Sequence, residues 1–210
     1  VSEPSYLAEI RNSYDTVADS YHDLLKDAHD SMPFDRAMLA AFAERAQGTV
    51  ADIGCGPGRI TTRLADLGLS VFGIDLSPEM IEVARREHPR LRFDVGSMTA
   101  LDLADGSLGG VVAWYSIIHL PQDELPGVFA EFFRVLEPGG QLLLAFKSGD
   151  ERRHLSHAYG HDVSLDVYWM PVDRVAKLAE QAGFTEVARL ERAASTNEKG
   201  PQGYYLARKQ

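Results

Sequence analysis

From Val50 onward, short apolar clusters alternate with longer stretches in which apolar positions recur every three or four residues. Clusters of the first kind suit strands buried on both faces, and stretches of the second suit amphipathic helices. Their alternation predicts a parallel sheet covered on both sides. Strands are expected at Val50 to Ile53, Val71 to Ile74, Leu91 to Phe93, Leu108 to Trp114 and Gln141 to Phe146, and the last of these reads as the central one. A helix starting near Gly58 has Ile60, Leu64 and Leu67 as its buried stripe and stops at Gly68. Ser77-Pro78 caps and opens the next, with Met80, Ile81 and Ala84 facing inward. Glu124 to Leu136 forms another, ended by Pro138-Gly139-Gly140, and Pro171 to Ala182 a further one that stops at Gly183. Phe184 to Leu190 and Gln202 to Arg208 leave no room for a helix between them, so they pair antiparallel through Ser195 to Pro201. Before Val50 only helical patterns occur, Tyr14 to Leu25 and Phe34 to Ala46, and residues 1–48 are expected to form a helical lid over the carboxyl edge of the sheet.

The chemistry starts where the first strand meets a glycine-rich turn, Asp52-Ile53-Gly54-Cys55-Gly56-Pro57-Gly58. Such a turn lets backbone N–H groups and a helix start approach a ligand that any Cβ would push away. Asp75, at the end of the second strand, can accept two hydrogen bonds from a ribose diol. A dinucleotide fingerprint reads G-x-G-x-x-G, whereas this turn reads G-x-G-x-G and follows an acid, Asp52. A carboxylate there suits a ligand with an ammonium group and a sulfonium better than a pyrophosphate.

Several segments in order resemble the class I S-adenosylmethionine-dependent methyltransferases, in particular the group called type 11. They are the glycine turn itself, Gly73 to Met80, Phe93 to Met98, Trp114 to Pro121, Arg134 to Gly140 and Ala182 to Phe184. The resemblance implies a Rossmann-like, doubly wound α/β fold whose seven-stranded mixed sheet has only its last strand antiparallel, with S-adenosyl-L-methionine as cofactor. It implies that Gly54, Gly56 and Gly58 form the methionine-side turn, Asp75 the ribose clamp, and Leu76 and Met80 the walls of an adenine slot flanked by Gly96, Ser97 and Met98. Tyr14 and Tyr21, seven apart on one helical face, resemble the family's N-terminal lid, and a tyrosine there can keep water out. Ordinary amphipathic packing is the alternative for both. Arg59 can reach a carboxylate of the cofactor or remain a solvated arginine at a helix start. Cys55 reads as a small side chain in the turn rather than a nucleophile.

Composition narrows the partner. At 210 residues with 45% apolar content, the chain is read as one domain. Its net charge of −10, without a dense basic run, lacks the electrostatic footprint for nucleic acid, and no apolar run approaches the length of a membrane span. Val1 to Tyr6 lacks a basic start and an apolar core, and one cysteine fits a reducing compartment, so a cytoplasmic protein acting on a small molecule is expected.

Methyl transfer asks the protein mainly for orientation and exclusion of water. The fourth strand ends in Trp114-Tyr115-Ser116, and His119 just beyond is placed to take a proton from a hydroxyl or amine acceptor, or else to fix a loop. Tyr115 and His119 are the catalytic candidates. Residues 147–170 read as an insert shaping the acceptor pocket, with Tyr159, Tyr168 and Trp169 offering flat apolar faces beside His119. On a helix, His154, His157 and His161 would share one face, yet the polar, glycine-containing surroundings favour a lid over a metal site. Two other readings stay open. A nicotinamide-dependent oxidoreductase would use the same sheet, but its Tyr-x-x-x-Lys pair matches only Tyr205 to Lys209, in a strand-like tail; a protein that binds the cofactor without catalysis is the other.

Overall fold

A computed structural model describes residues 4–26, 32–196 and 198–210; residues 1–3 of the N-terminal segment, residues 27–31, and Asn197 of the final connection lie outside the described residues. The elements run α1 Ser5–Leu25, α2 Pro33–Ala43, β1 Thr49–Ile53, α3 Arg59–Asp66, β2 Ser70–Asp75, α4 Pro78–Glu87, β3 Arg92–Val95 and β4 Leu108–Trp114. They continue with α5 Leu125–Val135, β5 Leu136–Lys147, β6 Glu151–Ala158, β7 His161–Trp169, α6 Val172–Gln181, β8 Phe184–Arg192 and β9 Gln202–Lys209.

Among the described residues one seven-stranded sheet has the order β3-β2-β1-β4-β5-β9-β8. The strands from β1 to β5 pair in parallel, and β9, inserted between β5 and β8, is antiparallel to both. The expected doubly wound sheet with an antiparallel last strand is therefore present. β4, rather than Gln141 to Phe146, is the middle strand, and every one of its residues is buried. β5 lies off centre because β4, β1, β2 and β3 stand on one side of it and only β9 and β8 on the other, a pairing that apolar content alone does not report.

Alternate residues of the central strands face opposite layers. Ala51, Ile53, Val111 and Ala113 pack with Phe129, Phe132, Val175 and Ala179 of α5 and α6. Val50, Val112 and Trp114 pack with Leu39 and Phe42 of α2 and with Ile60 and Leu64 of α3. Leu67, expected in that stripe, is 37% exposed, because α3 ends at Asp66 and Leu67 begins the turn into β2. Among the described residues, α2 thus packs in a sheet layer, and α1 packs against α4 and β7. No helix among the described residues is long and apolar enough to cross a membrane.

The segment from Lys147 to Trp169 differs most from its reading. It forms an antiparallel hairpin, β6 with β7, so the helical face shared by His154, His157 and His161 does not exist. His154 Nδ1 meets Asp166 Oδ1 at 3.0 Å, His157 Nδ1 meets Asp162 Oδ1 at 3.1 Å, and His161 Nε2 meets Ser20 Oγ of α1 at 2.9 Å. Tyr205 and Lys209 lie on β9, where Lys209 Nζ donates to the carbonyls of Phe133 and Leu136 at 2.6 and 2.7 Å, so the Tyr-x-x-x-Lys spacing is structural.

Candidate active site

The strand order reverses between β1 and β4, which opens a crevice beyond their carboxyl ends where α/β sheets hold ligands. There lies a cleft of about 860 Å3, its open mouth included. At one end is the glycine turn. Gly54 N and Cys55 N both donate to the Ile74 carbonyl, at 2.7 and 3.1 Å, which folds the turn back over β2. Gly54 has φ +74°, and a Cβ on it would stand 2.2 Å from Ser116 Cβ, so the close approach of the β1 and β4 ends requires glycine. Gly58, also at positive φ, starts α3 but does not line the cleft; a Cβ there would meet the Phe93 ring.

Asp75 stitches two turns together: Gly56 N donates to its Oδ2 at 2.8 Å and Ser77 N to its Oδ1 at 2.9 Å. Burial raises its pKa against the pull of these amides, and each oxygen keeps a further lone pair for the cleft. Asp52 is fully buried; its Oδ2 accepts from Thr61 Oγ1 at 2.7 Å, and its Oδ1 has no hydrogen-bond partner. Burial pushes this carboxyl up to about 7, opposed by Thr61 and by the Arg59 charge. Arg59 also meets the hydroxyl of Tyr21. The Cys55 thiol is buried, and burial raises its pKa well above the usual thiol range, so it stays protonated.

Leu76, Met80, Gly96, Ser97 and Met98 line the cleft beyond β2 and β3. Ser97 Oγ is shared with Thr99, whose Oγ1 lies 2.8 Å away and whose N donates to it at 3.3 Å. Trp114 and Tyr115 line the wall at the end of β4. Tyr115 stands in the left-handed region, φ +56°, with its N donating to the Ala145 carbonyl at 2.8 Å. Its hydroxyl meets Tyr204, which in turn donates to Asp35 of α2.

The other end is built from segments distant in sequence. His119 is buried in a 3-10 turn, Ile117–His119, and lies between two partners: Nδ1 is 2.9 Å from the Asp166 carbonyl of β7, and Nε2 is 2.7 Å from Tyr14 Oη of α1. A carbonyl cannot donate, so Nδ1 carries the proton and Nε2 accepts from the Tyr14 hydroxyl. Burial pulls His119 down to about 4, so the ring is neutral near pH 7. Burial raises Tyr14 well above the phenol range, and it remains a donor.

α1 is fastened on two sides. Ser13 Oγ donates to the Ser164 carbonyl at 3.0 Å and accepts from Ser164 N at 3.2 Å. Asp15 Oδ1 accepts from Ser77 Oγ and, at 3.3 Å, from Glu79 N at the start of α4. Tyr159, in the turn of the hairpin, packs edge-on against Tyr21 with ring centres 4.9 Å apart. Tyr159, Tyr168 and Trp169 do not line the cleft. Tyr168 lies under Arg152, and Trp169 is buried between Lys147 and Arg153. Sequence reasoning missed the lining residues Leu7, Ile10, Pro57, Ile60, Ser116 and Leu120. The seven-residue spacing of Tyr14 and Tyr21, extended back one step, reaches Leu7, and that signal was available.

The arrangement fits S-adenosylmethionine on two observations: the buried Asp52 oxygen lacks a donor, and bare backbone curves around Asp75 at the mouth of the glycine turn. Comparison with known proteins agrees. Residues 50–140 match the family model described as methyltransferase domain. The malonyl-[acyl-carrier protein] O-methyltransferase of Erwinia billingiae is 32% identical over 151 residues, covering 71% of this chain and 55% of that protein. The demethylmenaquinone methyltransferase of Tropheryma whipplei is 28% identical over 208 residues, covering 85% of this chain and 84% of its own. The chain spans about half the length of several curated relatives it matches. Among solved structures, the Burkholderia thailandensis 1,6-didemethyltoxoflavin-N1-methyltransferase, with bound 1,6-didemethyltoxoflavin and S-adenosylhomocysteine, superposes with a TM-score of 0.76 at 23% identity, covering 100% of this chain and 93% of that one.

Proposed function

We propose that the chain is a class I S-adenosylmethionine-dependent methyltransferase and that it methylates a small-molecule acceptor held between the cofactor and the Tyr14–His119 pair. The observation that carries this reading is one continuous cleft with the glycine turn and Asp75 at one end and a neutral, hydrogen-bonded histidine at the other. When bound, the cofactor supplies an electrophilic methyl group on a sulfonium.

The chain's own residues then have separable tasks. Asp75, preset by Gly56 and Ser77, takes the ribose hydroxyls, and Asp52 with the turn it orders takes the ammonium end. Leu76, Met80 and Met98 give the adenine an apolar slot, with Gly96 and Ser97 at its edge. α1 and the β6–β7 hairpin exclude water, and Tyr14 and His119 hold a proton acceptor toward the remaining space. Tyr115 shapes the wall between the two ends. The names of two relatives, a malonyl-[acyl-carrier protein] O-methyltransferase and a demethylmenaquinone methyltransferase, support a metabolite rather than nucleic acid as acceptor. A cytoplasmic location suits the lone buried thiol of Cys55.

Titration calorimetry tests the reading. S-adenosylmethionine and S-adenosylhomocysteine are expected to bind, and NADH not to; NADH binding in their place overturns it.

A further inference from the structure

The charges that line the cleft are all at one end. Among the described lining residues these are Asp52, Arg59 and Asp75, each beside the glycine turn or the end of β2. At the Tyr14–His119 end the polar groups are neutral. Lys147, whose charge reaches His119, stands 5.8 Å over the Tyr115 ring and 5.5 Å from the Trp169 ring, and does not line the cleft. No lining side chain at that end carries a charge, so a carboxylate or an ammonium there finds no partner of its own among them and is disfavoured against a neutral group.

The hydrogen bonds at that end have a direction. The Asp166 carbonyl holds the proton on His119 Nδ1, so Nε2 offers a lone pair, and the Tyr14 hydroxyl spends its hydrogen on it. What the pair presents to the cleft is the oxygen lone pairs of Tyr14. It is a receptor for a donor, backed by a base.

Resting on the methyl-transfer reading above, we infer that the acceptor is an uncharged, largely apolar molecule methylated at a hydroxyl, and that Tyr14 is the catalytic residue that receives the hydroxyl proton and relays one to His119. The acceptor O–H donates to Tyr14 Oη. As the acceptor oxygen forms its bond to the methyl carbon, the carbon–sulfur bond breaks and its electron pair stays on sulfur. The acceptor proton moves to Tyr14 Oη while the Tyr14 proton moves to His119 Nε2, leaving an ether, a thioether and an imidazolium. The cleft carries one positive charge before and after, moved from sulfur to the ring. Burial, with the Lys147 charge, keeps the resting ring neutral, so Nε2 is free to take the proton that methyl transfer releases. A carboxylate acceptor would need no such base, and it would set its lone pairs against those of Tyr14, whose hydrogen is already given to His119. An ammonium acceptor would bring a second cation.

Three probes share one fused-ring body: 2-naphthol, 2-naphthoate and 2-(aminomethyl)naphthalene. Calorimetry on the protein saturated with S-adenosylhomocysteine is expected to show 2-naphthol binding at least about tenfold more tightly than the other two. In Tyr14→Phe, 2-naphthol binding is expected to weaken roughly tenfold with the acid and the amine unchanged, and in His119→Gln methyl-ether formation is expected to be lost with 2-naphthol still bound, while S-adenosylhomocysteine affinity changes less than about twofold and melting shows both variants folded. With S-adenosylmethionine, mass spectrometry is expected to find the methyl ether. Equal or tighter binding of the acid or the amine, no binding of any probe to the loaded protein, 2-naphthol affinity unchanged in Tyr14→Phe, or methyl-ether formation unchanged in His119→Gln overturns the inference. Failure of S-adenosylhomocysteine to bind at all instead overturns the methyltransferase reading.

Discussion

The two ends of the cleft are made of different material. The cofactor end is mostly backbone: amides of Gly56 and Ser77 on Asp75, amides of Gly54 and Cys55 on Ile74, all contributed within residues 52–77 by one strand-turn-helix-strand unit. The acceptor end is made of side chains from α1 and the turn after β4, backed by the Asp166 carbonyl of the β6–β7 hairpin, with Tyr14 and His119 separated by 105 positions. A rigid parallel sheet positions the first, and tertiary packing assembles the second. The first is thus suited to a constant ligand and the second to a variable one.

The largest expected break is at the cofactor end. Gly54→Ala forces a Cβ into Ser116 at positive φ, so a loss of several kcal/mol (~3) and of all cofactor binding is expected in melts and titrations. Next comes pH. Asp52 holds its proton up to about 7 in the folded state and to about 3.8 in the unfolded one, so the folded state binds more protons between these values and stability falls as pH rises through that window. At ~1.4 kcal/mol per unit, the slope amounts to a few kcal/mol, and denaturant titrations of Asp52→Asn are expected to lack it. Asp75→Asn keeps the fold but removes charge-assisted bonds worth ~1.5–3 kcal/mol, so S-adenosylmethionine affinity drops roughly 10- to 100-fold by calorimetry, and unchanged affinity would put the ribose elsewhere. The smallest effect probes the assembled end: Ser13→Ala unties α1 from β7 at a cost of ~1 kcal/mol, seen as faster amide exchange in the hairpin with cofactor affinity kept within about threefold.

The same contrast decides what could be read from the chain. The glycine turn, Asp75 and the strands from Val50 to Trp114 are local in sequence, so periodicity and turn chemistry sufficed. The position of β4 at the centre and the hairpin over Glu151–Trp169 depend on pairings between distant segments. In that hairpin a register shift between Leu155 and His157 breaks the strict alternation that marks a strand, while polar residues on both faces hide the rest. His119 stood out as a strand-end residue. Its bond to Tyr14 did not, because nothing local reports a contact across 105 positions.

Asp15 reaches from α1 to the opening turn of α4, holding Ser77 Oγ and Glu79 N. Raising the cover therefore takes an acceptor from the Glu79 amide and from Ser77 Oγ, which keeps its cap bond from Met80 N, in the turn that shares Ser77 with Asp75. Admission of a guest and release of the Glu79 amide become a single event, and the exchange rate of that amide is a clock for how often the doorway opens.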